Sequence, residues 1–402
     1  MKTMVVGVGA VGSVTAELLA HSDEFDKVIL ADVNMERARR AEKKISSDKV
    51  VVKKVDASDV TSMAKAFKGI DMVLNAVIPR FNYPIMEACL KAGSNYADMA
   101  CDIAKDLTPA GGIIKETPLM WQIHKYDPLF KKKGLMGMLS MGCDPGLSNI
   151  FARMGADRMD RVKQLLVRDG DNGSVEGYEF APMWSPETLI EEVLMPATIY
   201  KDGHYRKMGS LEGRDEMMYP DPVGKLPIYN VDHEEQETLP TWIGKVLGKG
   251  CDYCDFKIAL DDTCVNVIKT VGKIGLSNPE KIKVKGVEVA PRDVVAAVLP
   301  DPSTLGHLAK GDFICGTKTM GVKNGKDQGW FIYTHMNHQD CYKKHGHSAT
   351  AYTVGAPLAI GAILFAQGKI NAKGVFPPEM LDPEPVVKML PKFGMNCIEK
   401  KL

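Results

Sequence analysis

The sequence predicts an α/β protein that opens with a doubly wound parallel sheet and continues into an α+β region with a largely antiparallel, mixed sheet. Three observations carry this expectation. A strand-like run, Met4-Val5-Val6, enters Gly7-Val8-Gly9-Ala10-Val11-Gly12, and Asp32 follows twenty positions after the last glycine. Strand and helix patterns then alternate through the first third of the chain. Beyond about residue 155 the rhythm changes to short strands punctuated by turn residues.

The opening run reads as a dinucleotide site. The first glycine permits a tight turn, the second lets the backbone approach a pyrophosphate, and the third lets a helix pack closely on the strand. The diphosphate is expected at the start of a helix from Val11 to about Ala20, where unpaired N–H groups and the helix dipole favour anions. Gly7, Gly9, Ala10, Val11 and Gly12 are therefore expected to contact the cofactor. The second strand, residues 28–32, ends on Asp32, and Asp32 and the following Val33 are both expected to line the cofactor. A carboxylate there accepts hydrogen bonds from a ribose 2′-hydroxyl and repels a 2′-phosphate, so NAD is favoured and NADP is the alternative. Arg37, Arg39 and Arg40 read as the solvated face of the next helix, residues 35–44.

Further strands are expected over residues 50–56, 72–76, 95–97 and 135–139, the first expected over residues 4–8. In such a sheet ligands bind beyond the carboxyl ends of the strands. That rule selects Asn75, Ala76 and Pro79 after the fourth strand, Tyr96 and Asp98 after the fifth, and Cys143 and Asp144 after the sixth. Tyr, Asp and Cys can each move a proton when burial or charge brings the pKa toward neutrality. Each also has a structural reading: Tyr96 as a half-buried aromatic with a satisfied hydroxyl, Asp98 as a helix N-cap, Cys143 as a packing residue and Asp144 as a turn residue.

In the second region, Asp202-Gly203 and Asn324-Gly325 signal hairpins, and helices are expected near residues 185–194, 262–274 and 291–299. A last long helix, residues 348–367, is rich in small apolar residues and is expected to pack back on the first domain. The expected division is 1–155 for the dinucleotide domain, 156–347 for substrate binding and dimerisation, and 348–402 for a returning helix and tail.

Composition bounds the partners. Fifty-one basic and 51 acidic residues cancel, so no long-range field favours nucleic acid or an anionic membrane. The apolar stretch 352–366 is expected to be a buried helix, too short to span a bilayer. Nine cysteines without a framework fit a reducing compartment, and with no room for a leader before the first strand the cytoplasm is expected. Cys251-x-x-Cys254 lacks a second pair. Reading residues 335–341 as extended puts His335 and Cys341 on one face and His338 on the other, so no metal site is expected.

The N-terminal glycine motif, Val55-Asp56-Ala57, Tyr96-x-Asp98-x-Ala100, Gly142-Cys143-Asp144-Pro145-Gly146-Leu147-Ser148-Asn149 and Gly374-Val375-Phe376-Pro377-Pro378-Glu379 together resemble the saccharopine dehydrogenase family. The resemblance is good over residues 1–150, reasonable over 348–380 and thin between. It implies a Rossmann domain, a mixed-sheet substrate and dimerisation domain, and NAD(P)-linked chemistry at a C–N bond. By position, Asp56 and Ala57 would line the adenine, and Asn75, Ala76, Val77 and Pro79 the ribose and nicotinamide side. Tyr96, Asp98, Cys143 and Asp144 would face the substrate.

Ile78-Pro79-Arg80 departs from the double proline frequent in relatives and puts an arginine near the rim, for a substrate carboxylate or for solvent. His233, in Val231-Asp232-His233-Glu234-Glu235, lies where relatives have a histidine approaching substrate, and reads otherwise as a surface histidine among acids. Trp184, before Ser185-Pro186, offers an aromatic wall. The resulting expectation is an oxidoreductase acting on a C–N bond of an amino acid or opine through an imine, as a homodimer. The alternatives are a lysine 6-dehydrogenase-like deaminase, a non-catalytic NAD-binding regulator, and a carbonyl or 2-hydroxy-acid dehydrogenase on the same fold.

Overall fold

A computed structural model describes residues 1–101 and 111–402. Seven parallel strands form the first sheet, in the order Gly374–Phe376, Met136–Met138, Asn95–Asp98, Met72–Asn75, Lys2–Val6, Lys27–Asp32, Val50–Lys54. Strand order reverses between Lys2–Val6 and Met72–Asn75, which places the switch point of a doubly wound sheet beside the glycine motif. Both faces are covered. Val5, Leu30, Leu74, Ala97 and Met138 pack on one side, and Met4, Val6, Ile29, Val73 and Tyr96 on the other, which is why these strands read as continuous apolar runs.

The first strand is Lys2–Val6, two residues earlier than expected. Gly7 adopts φ +91° and ends it, so Val8 already belongs to the turn. Strand Val50–Lys54 stops before Asp56, and strand Asn95–Asp98 includes Asp98 as its last residue. The C-terminal strand Gly374–Phe376, beside Met136–Met138, was not foreseen; three residues bounded by turns are too few for a periodic signal.

The second sheet is ten-stranded and mixed. At its centre Arg161–Asp171 runs antiparallel to Asp312–Lys323 and parallel to Tyr253–Ala259. Both hairpins form: Thr198–Lys201 pairs His204–Lys207 across Asp202-Gly203, and Asp312–Lys323 pairs Lys326–Asn337 across Asn324-Gly325. All four turn residues have positive φ, the geometry a two-residue turn requires. The extended reading of residues 335–341 fails. The strand ends at Asn337, whose side chain caps a helix His338–His345, so His338 and Cys341 lie on a helix and His335 on the strand.

Helix Ala349–Ala366 is 18 residues long with a mean hydropathy of 1.6, three residues longer than the apolar stretch selected from the sequence. Burial, and not length, makes it a core helix, because 83% of it is enclosed. It crosses the first helix, Ala10–Ala20, at close range: Thr15 Oγ1 donates to Gly355 O at 2.9 Å, and a Cβ on Gly355 would meet Val11 O at 2.7 Å.

Candidate functional site

The cofactor end is built from backbone. Gly9 caps helix Ala10–Ala20 with no side-chain bond, leaving the first-turn N–H groups to an incoming anion. A Cβ on Gly9 would meet nothing within 4 Å, whereas one on Gly12 would lie 2.0 Å from Gly7 O and one on Gly7 2.6 Å from Val77 Cγ1. Open space at the second glycine and closure at the first and third fit a pyrophosphate lying over the turn. Asp32 is buried and fixed by Val8 N at 2.9 Å and Asn34 N at 2.8 Å. Val33 is exposed beside it. Asp56 is exposed and accepts from Ser58 N and Oγ, with Ala57 half-buried next to it. Ala76, Val77 and Pro79 are half-buried at the end of strand Met72–Asn75. Arg80 is exposed, its guanidinium 5.1 Å from the Phe81 ring centre.

Asn75, Tyr96 and Asp98 form one closed network. Asn75 Nδ2 donates to Asn82 Oδ1 at 2.7 Å and to Tyr96 Oη at 3.0 Å; Tyr96 donates to Asp98 Oδ2 at 2.8 Å; Ser140 N donates to Asp98 Oδ1 at 2.5 Å. Tyr96 is fully buried and not half-buried, and Asp98 caps no helix but ties its strand to the Ser140 turn. Burial pushes the Asp98 carboxyl up to about 7 against the pull of Ser140 and Tyr96, and pushes the Tyr96 hydroxyl well up.

A second constellation lies beside it. The loop Gly142–Gly146 carries Cys143 and Asp144 from strand Met136–Met138 to helix Leu147–Asp157; Gly142 N donates to Pro145 O, and Gly146, at φ +136°, has no room for a Cβ. Asp144 is the partly accessible member. A carboxylate oxygen of Asp144 and the sulfurs of Cys143 and Cys315 lie within 4.8 Å of one another. Asp169 is supplied by the central strand Arg161–Asp171, directly opposite Cys315 in the antiparallel register.

His233 closes the constellation and is buried, contrary to the surface reading. Its ring lies on Phe256, centroids 3.8 Å apart, and its Nδ1 sits 2.5 Å from Glu235 Oε2 and 3.4 Å from Glu234 Oε2. Ser148 Oγ holds the other Glu235 oxygen at 2.6 Å, and Cys101 N holds Glu234 Oε1 at 2.5 Å. Burial disfavours the imidazolium, but Glu235, Glu234 and Glu192 outweigh it and hold His233 protonated well above its ordinary range. Burial raises the Glu234 carboxyl to about 7 and that of Glu192, which hydrogen-bonds Trp184, to about 8. Glu235 and Glu234 thus contact the imidazole directly, and Asp144, Asp169 and Glu192 lie within electrostatic reach of it. The nearby buried cations are committed elsewhere, Arg168 to Asp255 at 2.7 Å and Lys207 to Asp232 at 3.0 Å.

Cys143, Asp144 and His233 of the expected residues come together here, with Tyr96 and Asp98 in the adjoining network. Asp169, Glu192, Glu234 and Glu235 were missed as site residues. An acid inside a strand-like run, as Asp169 is, was the available signal. The motifs 142–149 and 374–379 also meet, since Asn149 Nδ2 donates to the buried Glu379 Oε2 at 2.9 Å.

Comparison with known proteins agrees with this architecture. The saccharopine dehydrogenase NADP binding domain matches residues 3–134, and the saccharopine dehydrogenase C-terminal domain matches residues 142–395. A carboxyaminopropylagmatine dehydrogenase of Synechocystis sp. is 29% identical over 397 residues, 98% of this chain and 96% of that protein. A carboxynorspermidine synthase of Vibrio cholerae is 30% identical over 413 residues, with the same coverage of each chain. Among solved structures, the saccharopine dehydrogenase (L-Glu forming) of Saccharomyces cerevisiae superposes with a TM-score of 0.70 at 15% identity, over 100% of this chain and 99% of that one. The homospermidine synthase of Legionella pneumophila, in complex with NAD, gives 0.73 at 14% identity, over 100% and 91%. At these identities the two structures speak for the fold alone. With both family domains matched and a dinucleotide turn of the required shape, the chain belongs to the saccharopine dehydrogenase family and is an NAD(P)-dependent oxidoreductase.

Proposed function

We propose that this protein reduces the imine formed between a cationic amine and an amino-acid-derived aldehyde, giving a secondary amine. The observation that carries this reading is the buried cluster of acids about His233, Glu235 and Glu234 in contact with it and Asp144, Asp169 and Glu192 within electrostatic reach. A buried excess of carboxyls is costly unless cations pair with it. A polyamine-like substrate supplies those cations, and the relatives' names, carboxyaminopropylagmatine dehydrogenase and carboxynorspermidine synthase, point to the same class.

When bound, reduced nicotinamide supplies the hydride. The rest falls to side chains. Asp144, Asp169 and Glu192 bind and orient the ammonium groups. His233, its Nδ1 fixed by Glu235, exchanges a proton with the reacting oxygen or nitrogen through Nε2, first as the amine–aldehyde adduct loses water. Cys143 and Cys315 line the wall behind Asp144. Tyr96 and Asp98 hold the strand ends in register beneath the nicotinamide side.

The test follows NADH and NADPH oxidation at 340 nm with agmatine, 1,3-diaminopropane or lysine, each paired with aspartate semialdehyde or a 2-oxo acid. Turnover that requires both a diamine-type cation and the aldehyde is expected. Turnover with ammonia as the nitrogen donor would favour a deaminase instead, and cofactor binding without turnover across the panel would overturn the reading.

A further inference from the structure

Two sulfurs and a carboxylate oxygen, from Cys143, Cys315 and Asp144, lie within 4.8 Å of one another although the three residues come from two layers of the protein. Cys143 and Asp144 sit on the loop Gly142–Gly146, which is closed by the bond from Gly142 N to Pro145 O and joined to its helix by Ser148 N, donating to Cys143 O at 2.8 Å. Cys315 sits on the inner strand Asp312–Lys323, paired on one side with Arg161–Asp171 and on the other with Lys326–Asn337. Thr317 Oγ1, two residues further along that strand, donates to Ser148 O at 2.7 Å and ties the strand to the start of the helix. The spacing of the three donors is therefore set by hydrogen-bonded backbone. Both thiols are free and fully buried, and Asp144 is the partly accessible member through which the cluster can be reached.

Such a set suits a soft divalent cation. A tetrahedral zinc ion, with bonds of about 2.3 Å to sulfur and about 2.0–2.2 Å to a carboxylate oxygen, sets its ligand atoms about 3.4–3.8 Å apart, inside the observed envelope. Two thiolates favour such an ion over magnesium or calcium, which take oxygen ligands. Three protein ligands leave a fourth position for water. Asp169 supplies an independent observation. It stands directly opposite Cys315 in the antiparallel register, so the two side chains leave the same face of the sheet. It is 6% exposed, and its Oδ1 has no hydrogen-bond partner among the described residues. A buried carboxylate oxygen calls for a donor, and water on the fourth position of the ion is one.

We propose that Cys143, Asp144 and Cys315 bind one thiophilic divalent cation, with zinc the metal the donors suit best and Asp169 holding its water. Each thiol gives its proton to solvent as its sulfur bonds the ion, and nothing is oxidised or reduced. Neither Cys251-x-x-Cys254 nor the pair His338 and Cys341 takes part. The ion claims the Asp144 carboxylate, so zinc competes with the cationic substrate, a consequence that rests on the amine reading above.

The experiment titrates Cd²⁺ into the full-length, reduced protein after dialysis against a chelator. Sulfur-to-cadmium charge-transfer absorption in the ultraviolet reports the thiolate bonds, and displacement by Zn²⁺ gives the zinc affinity. One ion per chain is expected. Cys315→Ser should weaken binding about 100-fold or more and Asp169→Asn about tenfold, whereas Cys251→Ser should bind as wild type does. Cys143→Ser stands in if Cys315→Ser does not fold by circular dichroism. Absence of the charge-transfer band in wild type would overturn the inference, as would a band that survives Cys315→Ser and Cys143→Ser or is lost in Cys251→Ser. Excess agmatine should raise the apparent Kd for zinc. A band that forms with the expected variant pattern but ignores agmatine would leave the metal site standing and remove Asp144 from the amine reading.

Discussion

The imidazole of His233 lies 4° from parallel with the ring of Phe256 while its Nδ1 faces Glu235 Oε2 at 2.5 Å, so one wall holds the ring flat and a carboxylate holds it charged. Aromatic stacking fixes its orientation, and the ion pair fixes its protonation state. His233→Gln removes the cation and leaves Glu235, Glu234 and Glu192 facing one another. Turnover should fall at least 100-fold, the range for loss of a general acid. Stability should fall by about 3 kcal/mol, as for other buried pairs broken on one side. Steady-state kinetics and urea denaturation at pH 7 read the two effects separately, and an unchanged turnover would remove His233 from the chemistry.

The buried acids give the protein an unusual dependence of stability on pH. Asp98, Glu234 and Glu379 are each raised by burial to about 7. Between roughly pH 4.5 and 7 the unfolded chain has lost these protons and the native state still holds them, so stability falls as pH rises. His233 has the same sign. Its raised folded pKa contributes stability that is complete below about pH 6.5 and is lost as pH climbs through the folded value. Each group still protonated in the native state contributes up to about 1.4 kcal/mol per pH unit. Urea midpoints measured from pH 5.5 to 8 should therefore decline. A midpoint that rises over this range would mean that the acids are ionised in the native protein.

How much of this was legible in the chain follows from range. The glycine turn, Asp32 and the two hairpins are written in residues close together, and each appeared where its local chemistry required. Asp144 and Cys143 were found because they follow a strand end, a rule of topology. Asp169 and Glu192 escaped because their meaning depends on what the mixed sheet brings opposite them: Cys315 pairs with Asp169 from 146 positions away, a relation that no local pattern encodes. Misreading residues 335–341 as extended has a similar cause. Asn337 caps the next helix by accepting from Gln339 N and Asp340 N, a bond that ends the strand although the flanking residues suit either state.

Asp32 should set the choice between cofactors. Both its oxygens are held by backbone N–H groups, which pins the carboxylate beside the place where the ribose 2′ position is expected. Asp32→Ala removes the repulsion toward a 2′-phosphate, and the ratio of kcat/KM for NADPH to that for NADH should rise about tenfold, equivalent to about 1.4 kcal/mol. The two freed N–H groups should also lower stability by about 1–2 kcal/mol. An unchanged ratio would assign cofactor choice to other residues, with Arg37 the next to test.

The glycine turn allows binding and folding to be pulled apart. Gly9 has extended backbone, φ −77°, and open space where a methyl group would go, so Gly9→Ala should leave the melting temperature of the free protein within about 2 °C. The methyl would nevertheless stand where the pyrophosphate must approach the backbone, and NADH affinity should drop at least tenfold. Gly12→Ala should behave in the opposite way. Its Cβ would fall 2.0 Å from Gly7 O and 3.0 Å from Ala76 Cβ, so helix Ala10–Ala20 would have to move off the first strand, at a cost of about 1–3 kcal/mol or more before any ligand is added. Thermal melts with and without NADH distinguish the two. If Gly9→Ala retained full affinity, the diphosphate would lie elsewhere than over this turn.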